Sequence, residues 1–226
     1  MRFIALSTIL LLMSAAAPVA GRTETGSRAS TAAEIDARVQ AADYTGAIEI
    51  GERLVQAAPD DAVLWRSLGE AYGARARTAP VVSQLRWARK CRGAFEKAVV
   101  LAPADVDSRI DLFMFYLEAP GIAGGSVERA RRQAEEIVRL HSARGHAMLG
   151  MLFLRQKDLS RAESEYRLAI DEASNDEAAR ADAEWRLGLL YEKLGKKSEA
   201  IAALKEALKL DPANVLAKKD LERLGE

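Results

Sequence analysis

The stretch Trp65–Tyr72, which reads WRSLGEAY, decides the fold of this chain. Its apolar positions follow the i, i+3, i+4, i+7 spacing that places residues on one face of a helix. These positions are Trp65, Leu68, Gly69 and Tyr72. The glycine leaves a gap in that face, where a second helix can approach closely. The stretch therefore predicts a helix packed against a close neighbour.

The same pattern returns later in the chain, and each copy precedes a second helical segment. Its end is repeated at Leu149, Gly150 and Phe153 and at Leu187, Gly188 and Tyr191. The second segments carry small and apolar residues four and three apart, at Ala47/Gly51/Leu54, Cys91/Phe95/Ala98, Ala130/Ala134/Ile137, Ala162/Tyr166/Ala169 and Ala200/Leu204/Ala207. Three of these segments stop at a proline, at Pro59, Pro103 and Pro212. A fixed period of helical hairpins indicates a repeat architecture.

This pattern resembles the tetratricopeptide repeat family, whose helix-turn-helix unit is about 34 residues long. The resemblance covers roughly residues 28–214 and implies an all-α fold, a right-handed α-solenoid of about five repeats. We place the repeats at about 28–61, 62–105, 106–142, 143–176 and 181–214, with a capping helix at 215–226. No alternating β pattern occurs in the sequence.

Some repeats depart from the family pattern. Ile35 and Phe113 stand where repeats one and three would carry glycine. Repeat two has roughly ten extra residues and repeat three about five, judged against the family unit. Capping boxes at 31–34 and 174–177 predict helix starts at Thr31 and Ser174.

The N-terminus is typical of a secretory signal peptide, with Arg2, an apolar run and then small residues. We expect residues 1–21 to be this signal, cleaved near residues 20–21, and 22–30 to be a flexible leader. An uncleaved membrane anchor over residues 3–20 is the alternative. The resulting expectation is an exported protein, periplasmic or secreted.

Composition excludes several functional classes. The 226 residues include 33 basic and 33 acidic side chains, so no net charge favours nucleic acid or an anionic surface. A single cysteine cannot form an intrachain disulfide, and two histidines leave little material for a zinc site. We expect no cofactor, no metal and no enzyme activity. A carboxylate-dependent hydrolase is a remote alternative.

The two histidines, the cysteine and the glycine-rich loop are predicted to have structural roles. His141 and His146 are five residues apart, do not share a helix face and are predicted to be surface or turn residues. Cys91 is predicted to be a small buried residue, with a reactive thiol as the alternative. The glycine-rich loop at 118–126 lacks the ending of a phosphate loop, and Ser126 is predicted to cap the next helix. A backbone nest for an anion is the alternative for this loop.

The insertion from Arg75 to Arg92 is basic and contains no acidic residue. Its cations are Arg75, Arg77, Arg86, Arg89, Lys90 and Arg92. One interpretation is an extended helical hairpin whose Trp87 packs on a neighbour. The other is a basic, partly apolar loop that contacts an acidic protein or lipid headgroups.

The resemblance also implies a binding site, because ligands of this family usually lie on the concave surface made by the first helices. Alignment gives Arg66, Glu70, Ile110, Met114, Leu117, Arg144, Met151, Leu154, Arg155, Trp185, Leu189 and Lys193 as the groove. An apolar, methionine-containing groove suits an amphipathic helix or an extended peptide. The family's carboxylate clamp uses Asn as well as Lys and Arg, and these helices contain no Asn.

We therefore expect an exported scaffold that binds a protein or peptide partner, fitting cell-envelope assembly in a bacterial periplasm. Arg144 and Arg155 would orient acidic groups of the ligand. Self-assembly through the first repeat or the basic insertion is the alternative. Nucleic acid is not an expected partner, and membrane contact would require an uncleaved signal or the basic insertion.

Overall fold

The computed structural model describes residues 31–225, and all its regular structure is helical. The predicted signal peptide and leader lie outside these residues. Helix α1 covers residues 31–40. The others are α2 (Tyr44–Ala57), α3 (Ala62–Thr78), α4 (Val81–Leu101), α5 (Val106–Glu118), α6 (Val127–Leu140), α7 (Ser142–Arg155), α8 (Leu159–Glu172), α9 (Glu177–Lys193), α10 (Lys197–Leu210) and α11 (Val215–Arg223). No helix within 31–225 combines the length and apolar character needed to cross a membrane.

The helices pack in sequential pairs. Helix α3 packs on α4, α5 on α6, α7 on α8 and α9 on α10, and each second helix also contacts the first helix of the next pair. Helices α5, α7 and α9 contact one another in order, so these three first helices form a continuous inner layer. This arrangement confirms the predicted all-α solenoid.

Close contacts inside each pair follow from the glycines of the sequence pattern. A Cβ atom added to Gly69 would lie 2.5 Å from the ring of Phe95, and one added to Gly150 would lie 2.5 Å from the ring of Tyr166. Glycine is therefore required at both places, because the ring of the second helix occupies the space of a side chain.

In repeats one and three the large residue lies on the first helix and the small residue on the second. Ile35 and Phe113 are fully buried on their first helices, and the aligned positions of the second helices are Gly51 and Ala134. The Cδ1 atom of Ile35 lies 3.5 Å from the position of a Cβ on Gly51. The missing glycines are thus compensated by a small residue on the opposite helix.

Side-chain caps fix most helix starts. Aspartates cap α2, α3, α5, α8 and α9, and Asn214 caps α11. The predicted start at Ser174 is wrong, because residues 173–175 still form the turn after α8 and Asp176 accepts from Ala179 N–H instead. Thr31 already lies within α1 rather than before it. Ser126 caps α6 as predicted, accepting from the backbone N–H of Arg129 at 3.3 Å.

The insertion at 75–92 is helical, so the interpretation as a loop is wrong. It forms the last turn of α3 and the first half of α4, with Pro80 at the turn between them. Trp87 stacks on Tyr72 with ring centroids 5.9 Å apart. Two lengthened helices, in which half-buried Trp87 stacks on buried Tyr72, account for the extra residues of repeat two.

The segment after α5 folds as a compact turn against α4. Residues Gly121–Ala123 form one 3₁₀ turn, and Gly124 follows with φ of 101°, which favours glycine. Ser126 N–H donates to the Tyr116 carbonyl at 2.8 Å, which closes the turn. Arg92 of α4 packs over Gly124. The extra residues of repeats two and three therefore lie side by side.

Candidate binding groove

Two neighbouring clefts lie along the inner layer. The first cleft, about 810 Å³, is bounded by α3, the start of α4, α5 and residues 118–123. The second cleft, about 650 Å³, crosses α5, α7 and α9. Glu118 lines both clefts. Among the predicted groove residues, the first cleft contains Glu70 and Met114, and the second contains Leu117, Met151, Leu154, Arg155, Leu189 and Lys193.

The second cleft has an apolar floor and a basic rim. Leu117, Met151, Leu154 and Leu189 are buried or half-buried side chains of three different helices. The rim carries Arg155, Lys157 and Lys193, whose side chains form no ion pair with any residue in 31–225. Unpaired cations beside apolar surface can bind an anionic, partly apolar ligand.

A fourth cation of this cleft, Arg186, is held by the protein itself. Its Nε donates to Asp182 at 2.7 Å, and its Nη1 lies 2.8 Å from the sulfur of Met151. The pairing neutralises this guanidinium, while its contact fixes Met151 in the floor.

Lys157 was missed by the sequence interpretation. It lies in the turn after α7 with φ of 63°, in the left-handed region. Gly195 takes the equivalent place in repeat five with φ of 72°. Aligning the two turns would have shown a lysine in a place that favours glycine, beside the end of the predicted groove.

The first cleft is mainly apolar and carries carboxylates. Burial raises the pKa of Glu70 to about 6, with the Asp111 carboxylate adding to the shift and Arg66 opposing it. Arg66 Nε donates to Asp111 at 2.6 Å and its Nη2 lies 3.6 Å from Glu70. This guanidinium therefore lies between two carboxylates, hydrogen-bonds Asp111 and offsets only part of their combined charge, which argues against a free acid–base pair.

Glu70 gives a pH-dependent prediction. We expect Glu70→Gln to raise the melting temperature by about 1–2 °C above pH 6, because the folded state then no longer holds a half-buried carboxylate. The raised pKa means that wild-type Glu70 takes up a proton more readily when folded, so the gain shrinks between about pH 6 and the ordinary value of 4.5. Thermal scans at several pH values measure this. A gain that is equal at pH 4 and pH 8 would contradict it.

The remaining predicted groove residues line neither cleft and belong to contacts between helices. Arg144 donates to Asp107 at 2.5 Å, and Asp107 also lies 3.9 Å from Arg66. The Arg144 hydrogen bond lowers the pKa of Asp107. Arg144 therefore joins α7 to α5, and the ligand contact expected of it stays a prediction.

Ile110 and Trp185 also serve packing. Ile110 is half-buried against the core. Trp185 donates its indole N–H to Asp220 of α11 at 2.9 Å. The C-terminal helix buries Ala217 completely and covers the end of the solenoid. Some predicted groove residues thus contact neighbouring helices, and the others line the two clefts.

The cations of the insertion point in different directions. Arg77 lines the first cleft, while Arg92 packs beside Gly124 and lies 3.7 Å from Glu96. Lys90 binds Glu52 at 2.7 Å and lies over the Tyr72 ring. Arg86 lies over Trp87, Arg75 is half-buried and Arg89 is exposed. No single basic patch results from this segment.

The histidines and the cysteine have structural contacts. His141 caps α7 and lies 3.0 Å from Asp176, and His146 lies 2.7 Å from Glu165. His141 lies in the turn between α6 and α7, as predicted, whereas His146 is half-buried within α7 rather than a surface or turn residue. Cys91 is buried as predicted, and burial raises the pKa of its thiol to about 12. Within 31–225 no three His, Cys, Asp or Glu side chains are grouped to hold a metal ion.

Known proteins share this architecture. Models of the tetratricopeptide repeat match residues 122–178 and 181–214. A comparison with curated protein sequences finds no match.

Three solved structures show the similarity of fold. TTC0263, a TPR protein of Thermus thermophilus, has a TM-score of 0.64 and 16% identity over 86% of this chain and 97% of its own. MamA has a TM-score of 0.51 and 19% sequence identity, over 79% of this chain and 94% of its own. A chain of the APC/C hetero-tetramer Cut9-Hcn1 has a TM-score of 0.59 and 15% sequence identity, over 86% of this chain and 35% of its own. Residues 122–178 and 181–214 thus match models of the tetratricopeptide repeat, and the described chain shares the helical-solenoid fold of solved tetratricopeptide-repeat structures.

Proposed function

We propose that this protein is a non-catalytic scaffold that binds a segment of a partner protein in its concave groove. The second cleft is the principal contact. The partner segment is apolar with acidic side chains, since it must cover the leucine and methionine floor and meet the basic rim. The fold supplies rigid helices that present this surface without rearrangement.

The observation that carries this proposal is that Arg155, Lys157 and Lys193 form no ion pair within residues 31–225. Most other cations near the inner layer have partners, such as Arg66 with Asp111 and Arg144 with Asp107. A protein that pairs these charges but leaves three others beside an apolar floor has a surface suited to an external anion.

The apolar floor gives a direct test. We expect Leu154→Asp combined with Leu189→Asp to abolish recovery of the native partner in a pull-down. Binding would remove water from two unpaired carboxylates, which costs free energy, and these carboxylates would repel the acidic groups of the ligand. Leu168→Asp on α8 is the matched control, since Leu168 is exposed on a second helix. Circular dichroism checks that helicity survives. Undiminished recovery by the double variant would contradict the proposal.

We further propose that the scaffold acts outside the cytoplasm, in a bacterial cell envelope. The support is the signal-like composition of residues 1–21. N-terminal mass spectrometry of the chain from the native envelope fraction should find a start near residue 21 or 22. A chain that keeps Met1 and remains in the cytoplasmic fraction would overturn export.

A further inference from the structure

Both insertions in the repeat pattern border the first cleft. Val81, Gln84 and Leu85 of α4 line one side, and Pro120 and Ile122 line another. The two segments also contact each other directly, since α4 packs on the 3₁₀ turn. The two insertions therefore form much of the first cleft, which regular-repeat residues such as Glu70 and Met114 complete, whereas the second cleft lies mainly on regular repeat helices.

The rim of the first cleft exposes large apolar side chains. Val81 is 81% exposed and Ile122 is 73% exposed. Met114 and Phe115 are half-buried between them and the core. Exposed apolar side chains grouped around a concave surface indicate a contact with another molecule.

The charge of this cleft is opposite to that of the second cleft. Its walls carry Glu70, Asp111 and Glu118 against one cation, Arg77. Asp111 accepts a hydrogen bond from Arg66 Nε, whereas Glu70 lies 3.6 Å from Arg66 Nη2, beyond the distance of a strong hydrogen bond. Glu118 is exposed and forms no ion pair within the described chain. A ligand cation can therefore pair with Glu70 or Glu118.

We propose that the first cleft is a second docking site, which binds a protein segment of apolar side chains that includes a Lys or Arg. Apolar side chains of that segment cover Val81, Phe115 and Ile122, and its cation lies between Glu70 and Glu118. The site does not require occupation of the second cleft. A partner that enters both clefts would run in one direction, with its basic part at repeats two and three and its acidic part at repeats four and five.

The experiment selects random peptides, about twelve residues long, on the immobilised full chain and measures the affinities of enriched peptides by fluorescence anisotropy. We expect one class with Lys or Arg between apolar residues. Its affinity should fall about tenfold or more in Val81→Lys combined with Ile122→Lys, because both positions line the first cleft and not the second, and the new cations repel the ligand's own. Both positions are exposed, so this variant keeps the fold. Arg155→Glu combined with Lys193→Glu should leave this class within about twofold of wild type.

Several results would overturn the proposal. One is an absence of enriched cationic, apolar peptides; another is an affinity that the first-cleft variant leaves unchanged. Sedimentation velocity of the full chain supplies a further test. A dimer that Val81→Asp dissociates would show that a second copy of the chain occupies the cleft, contrary to the proposal. Loss of acidic peptides alone in the second-cleft variant tests the proposed function separately.

Discussion

Replacing Phe113 by alanine is expected to lower the free energy of unfolding by about 3–5 kcal/mol. Phe113 is fully buried in the third of five pairs, where other repeats carry Gly69, Gly150 and Gly188. Its aligned neighbour on α6 is Ala134, which is too small to fill the resulting cavity. Denaturant unfolding followed by circular dichroism measures the loss. Because the main helix–helix contacts within residues 31–225 join neighbouring repeats, the transition should also broaden.

Two further variants show whether volume compensation is the cause. Phe115→Ala removes the same ring from a half-buried position and should cost less than half as much. Phe113→Gly combined with Ala134→Phe transfers the arrangement of Gly150 and Tyr166 to repeat three, and should recover part of the stability. Equal losses in Phe113→Ala and Phe115→Ala, with no recovery in the transferred arrangement, would contradict this account of the core.

Reversing the charge of the second cleft is expected to have the largest effect on binding. Arg155→Glu combined with Lys193→Glu should weaken capture of the native partner by about tenfold or more, because attraction becomes repulsion at two places. The loss should diminish in high salt, which screens charges on an open rim. Quantitative mass spectrometry of pulled-down protein measures both effects.

A matched control distinguishes an effect of the second cleft from an effect of the protein's net charge. Arg132→Glu combined with Arg139→Glu makes the same change in net charge on α6, where both side chains are more than half exposed. This variant should retain most of the capture. Equal losses in the two double variants would show that overall charge, rather than the second cleft, determines binding.

The hairpins could be predicted from the sequence because their deciding contacts lie within each pair. The glycine of one helix meets the ring of the next after a short turn, as Gly150 meets Tyr166. Such contacts leave a periodic signal in the sequence. The helical character of residues 75–92 was less clear, since Pro80 reads equally well as a break or as the first turn of a helix.

The state of the groove charges could not be predicted in the same way. Arg144 and Arg155 looked equivalent, but Arg144 binds Asp107, which is 37 residues away on another helix. Neither the spacing nor the composition of the chain encodes that pairing. Lys157, which forms no ion pair within residues 31–225, lies in a turn outside the family pattern and is revealed by sequence only when that turn is aligned with the one at Gly195. Only the packing of neighbouring repeats shows which cations remain for a ligand.

The most direct test of the groove is site-specific photo-crosslinking in the native host. A benzophenone amino acid at Leu189 places the reactive group in the second cleft, and one at Val100 places it on α4 at a position that is 73% exposed. We predict a discrete crosslinked partner from position 189, lost when Arg155 and Lys193 are both replaced by glutamate, and none from position 100. Crosslinking of the same partner from position 100, with none from position 189, would contradict binding in the concave groove.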